Sequence, residues 1–281
     1  MTLPSDFLFS QGNLQDYVDC RRRFQLRYLE RLAWPAIEAE PAGENEQRLL
    51  NGAAFHRLVQ QHLLGMPAER LSGLAGGTKG DLPRWWRNYL ESAPSLLDSN
   101  ETLGVEVSLA APLEGYRLVA KYDAILRIRS ESGMRLAVID WKTSHKRPPR
   151  QWLAERLQTR VYPFLLVEAG AALNGGQPIQ PHLVEMVYWF AGFPQEPERF
   201  PYSAGQYHKD KVFLAGLVME IAGLPEGDFP LTQHVERCDY CTYRSLCERG
   251  VQAGPLPRME EVAVERIDFA LDFDQIAEIE F

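Results

Sequence analysis

Long apolar runs are missing from this 281-residue chain: nowhere do roughly 18 apolar residues follow one another, which argues against a membrane span. The opening stretch MTLPSDFLFSQGN has neither a basic segment nor a long apolar one, so a secretory signal is not expected and a cytoplasmic location is. Internal repeats and low-complexity segments are absent. Cysteine is scarce, with four in all, and four in a chain of this size read as metal ligands or free thiols rather than as a disulfide framework. Bases are outnumbered, 30 Lys and Arg against 38 Asp and Glu, for a formal net charge of −8.

That charge is unevenly placed. Residues 259–281 carry eight acids and one arginine, leaving 29 bases and 30 acids in the body. The low isoelectric point therefore does not exclude a basic groove. Hydrophobic content of 45% and charged content of 24% are ordinary for a globular protein. The length allows one large domain with a buried core.

Helical periodicity predicts a helix over 12–33 and another from about 46 to 64, with a loop over 33–47 between them. Four glycines in 67–81 read as a linker or mobile loop. From Leu103 the period becomes two: strands are expected at 103–111, 116–129 and 134–141, the last an apolar run typical of a central strand buried on both faces. Beyond Pro148-Pro149, a helix over 151–169, a strand over 183–190 and a helix over 204–222 complete the pattern.

The third strand ends in Asp140-Trp141-Lys142, and Asp123 stands on the second. If these strands form a hairpin, two carboxylates meet at a strand end, a hard-oxygen site suited to Mg²⁺ or Mn²⁺. Side chains alternate along a strand, so Lys142 projects from the same face as Asp140, where it can orient a water or neutralise a phosphate. Alone, D-x-K is a weak signal and is more often a surface acid–base pair. It keeps company, however, with His56 in Gly52-Ala53-Ala54-Phe55-His56 and with Gln158 and Tyr162, which share a helical face at i and i+4. Cys20 lies alone near the start, while Cys238, Cys241 and Cys247 follow C-x2-C-x5-C. Four thiolates suit either zinc or an iron–sulfur cluster, and spacing does not separate the two.

His56, Asp123, Asp140-x-Lys142 and Gln158-x-x-x-Tyr162, in this order, resemble the PD-(D/E)XK nucleases of the RecB type. With the four cysteines and the opening Phe9-Ser10, Leu14, Tyr17 and Cys20-Arg21-Arg22-Arg23-Phe24, the chain is similar over roughly 8–250 to the iron–sulfur members: CRISPR-associated exonucleases and AddB-type nuclease domains. The resemblance implies a restriction-endonuclease-like α/β fold, a short mixed sheet flanked by helices. It also implies a 4Fe–4S cluster on Cys20, Cys238, Cys241 and Cys247, in a helical lobe that joins the helix over 12–33 to the segment 234–250. One nuclease domain would then span 1–258. Asp123 and Asp140 would hold the divalent ion, His56 would add a nitrogen ligand that favours Mn²⁺, and the carbonyl of Trp141 would complete the sphere. Gln158 and Tyr162 would contact DNA or buttress Lys142, with Glu106 a further acidic candidate. Where the family usually has glycine three residues before the first aspartate, this chain has Ala120.

The expected substrate is DNA, single-stranded or with free ends, and the expected role is DNA repair, recombination or CRISPR-type processing. No P-loop pattern is present, so a helicase motor would be a separate protein. Arg21, Lys146, Arg147, Arg150 and Arg84 are candidate phosphate contacts, with Trp85 a candidate stacking platform, although an amphipathic helix that buries its tryptophans would equally explain 84–87. The acidic, hydrophobic tail over 259–281 could engage a partner protein. The rival readings are a non-catalytic DNA-binding or assembly subunit that keeps the fold, and a zinc-stabilised protein of other function.

Overall fold

In the computed structural model, which describes residues 3–33, 42–97, 101–130, 133–225, 229–239 and 241–251, the alternating residues of the middle third form a three-stranded antiparallel unit. Its strands are β2 (Glu101–Leu113), β3 (Tyr116–Ser130) and β4 (Gly133–Lys142), numbered after the short N-terminal β1 (Leu8–Ser10). β4 then pairs in parallel with β5 (Val184–Phe190), which pairs antiparallel with β6 (Glu198–Pro201). β1 pairs in parallel with the start of β3. The result is a six-stranded mixed sheet of order β1-β3-β4-β5-β6, with β2 on the free side of β3.

Helices cover both faces. On one lie α1 (Gln11–Asp19), α6 (Arg150–Glu155), α7 (Leu157–Ala169) and α8 (Ala204–Ala222), packed on Leu136, Val138, Met186 and Tyr188. On the other, α3 (Ala42–Leu63), α4 (Ala68–Gly76) and α5 (Leu82–Leu97) pack on Ala137, Ile139, Trp141 and Trp189. β4 thus alternates between two cores and is buried on both faces, as its unbroken apolar run predicts. The protein has an α/β fold with a mixed sheet between helices. Among the described residues, no helix is long and apolar enough to cross a membrane.

The opening of the chain is fixed locally. Ser10 ends β1 and caps α1: its hydroxyl accepts from the Asn13 amide at 3.3 Å, while its own amide donates to Asn13 Oδ1 at 2.9 Å.

Several expectations need correction. The helix over 12–33 is three pieces, because Cys20 is extended (φ −163°, ψ 108°) between α1 and α2 (Arg21–Phe24), and a π turn, Gln25–Leu29, follows. Residues 68–76 form a helix despite their glycines. Each interior glycine costs roughly 0.5–1 kcal/mol, but α4 sinks Leu71 and Ala75 into the second core, and one fully buried leucine contributes about 1.5–3 kcal/mol. The loop over 33–47 gives way to α3 from Ala42, its first part lying outside the described residues. The helix over 151–169 breaks at Arg156, whose ψ of 143° leaves the helical region. The tail over 259–281 lies outside the described residues.

Trp85 is no stacking platform. It is 1% exposed, against Phe55 and the His145 ring, and Trp86 is buried beside it. α5 presents its polar face outward and its aromatic face to the sheet. Trp85→Ala should destabilise the fold by about 3–5 kcal/mol, read from urea melts, and leave the salt dependence of any DNA binding unchanged.

Candidate active site

Two ladders share one side of β3 and leave a gap between them. β1 pairs there with Arg117–Val119, and the β4 ladder begins only at Ala124↔Ile139. Residues 120–123 lie in the fork. Extending the register by one step sets Asp123 opposite Asp140, yet the strands have parted by then. Alternation also slips here. Leu118, Ala120 and Tyr122 face the first core, as does Ile125, so two residues, Asp123 and Ala124, stand where strict alternation allows one. Such a slip re-aims a side chain. The Asp123 carboxylate turns into the fork, where Oδ2 accepts the Trp141 amide at 2.9 Å, taking over a partner that the sheet ladder no longer supplies.

His56 approaches Asp123 from α3, with Nδ1 3.5 Å from Oδ2. Burial alone would raise the pKa of Asp123. The facing imidazole, the Trp141 amide and the nearby Lys142 ammonium outweigh it and hold the carboxyl below its ordinary value.

Asp140 and Lys142 project to the other side, toward α7. Both are nearly inaccessible, at 3% and 4% exposure. Lys142 Nζ lies 2.8 Å from Asp140 Oδ2 and donates to Gln158 Oε1 at 3.2 Å. Gln158 Nε2 closes the triangle on Asp140 Oδ1 at 2.6 Å. The ammonium requires an acceptor and the carboxylate a donor, so only one orientation of the Gln158 amide satisfies both. The break at Arg156 makes Gln158 the second residue of α7, at the mouth of the helix rather than in its middle.

Of the other candidates, Tyr162 is 2% exposed and packs on Tyr122, whose hydroxyl donates to the Tyr162 carbonyl at 2.9 Å. Contact with DNA does not fit that burial, and support from beneath does. Glu106 stands on β2 at the position in register with Asp123 and ion-pairs with Lys121. Its φ of +53° is rare for a non-glycine residue within a strand and marks local strain beside the site. Lys121 was not singled out in the sequence, though it precedes Asp123 by two.

The basic loop after β4 is tied down. Arg147 ion-pairs with Glu196 and Glu198, and Arg150 with Glu198, while Lys146 is exposed. Arg84 pairs with Asp81 and Arg21 with Glu220, both keeping exposed side-chain surface. Glu198, on the short strand β6, carried no sequence signal as the partner of this loop.

Residues 8–248 match the family model of the PD-(D/E)XK nuclease superfamily. The chain belongs to that superfamily. Its sheet and flanking helices are consistent with the restriction-endonuclease-like core. No curated protein matches the chain. Among solved structures, SSO0001 shares 16% identity, with 87% of each chain covered and a TM-score of 0.41. A protein from Eubacterium rectale described as a candidate exonuclease shares 8% identity over 76% of this chain and 81% of its own, with a TM-score of 0.44. Likeness at that level adds nothing to the family assignment.

Among the described residues, no three His, Cys, Asp or Glu side chains converge as a ready-made metal cage. An open site fits a magnesium-type ion nonetheless, because such ions keep several waters and bind through one or two carboxylates together with substrate phosphates.

An acid held below its ordinary pKa stabilises the fold while ionised. That stabilisation is complete above the unfolded carboxylate's pKa and is lost as pH falls through the depressed folded value. Asp123→Asn should therefore flatten the acid side of the stability profile, measured by urea melts from neutral pH downward.

Proposed function

We propose that this nuclease-superfamily chain is a divalent-metal-dependent deoxyribonuclease acting on single-stranded DNA or DNA ends, with one nuclease domain over 1–258. The observation that carries the reading is the buried Asp140–Lys142–Gln158 triangle beside a fork that holds Asp123 and His56. Burying an ammonium and a carboxylate is expensive unless both are paired and hydrogen-bonded. A fixed cation of this kind beside two acids suits phosphoryl chemistry, in which charge develops on non-bridging oxygens.

Asp123 and Asp140 would hold the Mg²⁺ or Mn²⁺, with His56 and the Trp141 carbonyl as further ligands. The bound ion would polarise the phosphoryl group and ease deprotonation of a water. Lys142 would stabilise the phosphate's developing charge. Gln158 fixes the ammonium and carboxylate against each other, with Tyr162 packed below. Water's oxygen adds to phosphorus and the 3′-oxygen leaves with a proton, giving 5′-phosphate and 3′-hydroxyl ends. Lys146, with Arg21 and Arg84, would meet the backbone phosphates. Each arginine would do so in exchange for its present acid: Glu220 for Arg21, Asp81 for Arg84, and Glu198 for Arg147 and Arg150.

For the cysteines, we propose a 4Fe–4S cluster on Cys20, Cys238, Cys241 and Cys247. The sequence resemblance supports it; among the described residues no three cysteines converge as a ready-made ligand set, and burial pushes Cys238 and Cys247 above the ordinary thiol range, with Cys241 and Cys20 pushing them further. None of the four is in a disulfide. Iron coordination would reverse that penalty by deprotonating the sulfurs. Closing a loop of this length by cross-linking should contribute roughly 3–5 kcal/mol beyond the bonds themselves.

Digestion of end-labelled oligonucleotides with Mg²⁺ or Mn²⁺ tests the nuclease. Asp140→Ala and Lys142→Ala should each lose roughly 10²–10⁴-fold in rate; full activity in both would end their assignment as catalytic residues, and a wild type that cleaves nothing with either ion would favour a binding subunit. Iron and sulfide analysis after anaerobic purification tests the cluster. Cys20→Ser or Cys238→Ser should lose the visible absorbance and most solubility, whereas one equivalent of zinc in a colourless wild type would favour the zinc-stabilised alternative.

A further inference from the structure

A continuous polar path, buried from Asp19 onward, runs from the cysteine segment to the candidate active site. It begins at Arg237, in the 3-10 turn Val235–Cys238, whose guanidinium lies 3.1 Å from Asp19 Oδ1 and donates to the Asp19 carbonyl at 3.3 Å. Asp19 directly precedes Cys20 and is buried. Its second oxygen takes Arg23 at 3.0 Å and lies 3.9 Å from Arg156, the residue that breaks α6 from α7. Gln15, also buried, donates from Nε2 to Asp19 Oδ1 at 3.2 Å. Its Oε1 accepts the Leu157 amide at 3.1 Å. Leu157 is the first residue of α7, a helix with no side-chain cap of its own, and the next residue is Gln158.

We propose that Gln15 is a positioning residue for the reaction, through which the cysteine lobe sets where Gln158 holds Asp140 and Lys142. A carboxamide both donates to a carboxylate and accepts from an amide, and Gln15 does so at once. The first amides of a helix need acceptors from outside it, and α7 takes this one from α1. Arg23, Arg156 and Arg237 fix Asp19 from three sides, so the peg itself has little freedom. A small shift of the first turn of α7 moves both hydrogen bonds of Gln158 at once. This inference rests on the reading of Asp140 and Lys142 as catalytic.

The test is a double-mutant cycle, with chemical labelling as a second measurement. Gln15→Met keeps the volume and removes both hydrogen bonds. Its kcat should fall about tenfold, with KM unchanged. In a Gln158→Ala background the same change should cost less than about twofold, because the group it positions is already gone. Labelling by acetic anhydride, read by mass spectrometry against exposed Lys209, should rise at Lys142 in Gln15→Met. Equal losses in both backgrounds, a loss confined to KM, or unchanged Lys142 labelling would overturn the proposal. Should Gln15→Met not fold, Gln15→Asn, which keeps the amide but is too short to span both partners, replaces it in the same cycle. If the wild type cleaves no DNA, the catalytic reading fails, and the labelling alone decides whether Gln15 positions Lys142.

Discussion

The parting of β3 from β4 governs the site. Had the ladder run on past Ala124 and Ile139, the Trp141 amide would have met a backbone partner and Asp123 would have been one more alternating strand residue. Because the strands separate, an amide is left over, and a side-chain oxygen takes it. A buried backbone donor without a partner is costly, so the carboxylate is locked to the strand that carries Asp140. The acid that helps form the site is also the acid that mends the sheet.

Polar burial on the α7 side follows a stricter logic. Lys142 and Asp140 neutralise each other, and Gln158 supplies the remaining donor and acceptor. Removing one partner of such a group leaves the others uncompensated in a low-dielectric setting. The arrangement is therefore rigid for reasons of solvation as well as packing. The sheet provides two of its members and a helix that begins beside it provides the third.

Much of this was legible in the sequence. The period-two stretch from Leu103 and the apolar run into Asp140 located the central strands, and the alternation rule put Asp140 and Lys142 on one face. Other features were hidden because tertiary contacts decide them. Residues 68–76 look like a loop until Leu71 has a core to enter. The breaks at Cys20 and Arg156 lie within good helical periodicity, since no local residue announces that a backbone will turn extended toward Asp19 and its arginines. Three-residue β1 and four-residue β6 are too short to carry a pattern. Trp85 shows the limit of composition: arginines beside tryptophans describe a nucleic-acid surface and a half-buried helix equally well, and only burial separates them.

The first helix is finished against late-made parts of the chain. Tyr17 donates to Glu220, 203 residues on, and the Tyr243 hydroxyl reaches back to the Leu32 carbonyl across 211. Phe24 stacks on Phe229. During synthesis on the ribosome, these surfaces emerge long before the residues they pack against, which lie 203 and 211 positions further on for Tyr17 and Leu32. Non-local closure of this kind is slow and leaves apolar surface open to wrong partners in the interval. A chain that stops before α8 would therefore leave Tyr17 without Glu220 and Phe24 without Phe229, and the opening segment would rest on the sheet and α7 alone.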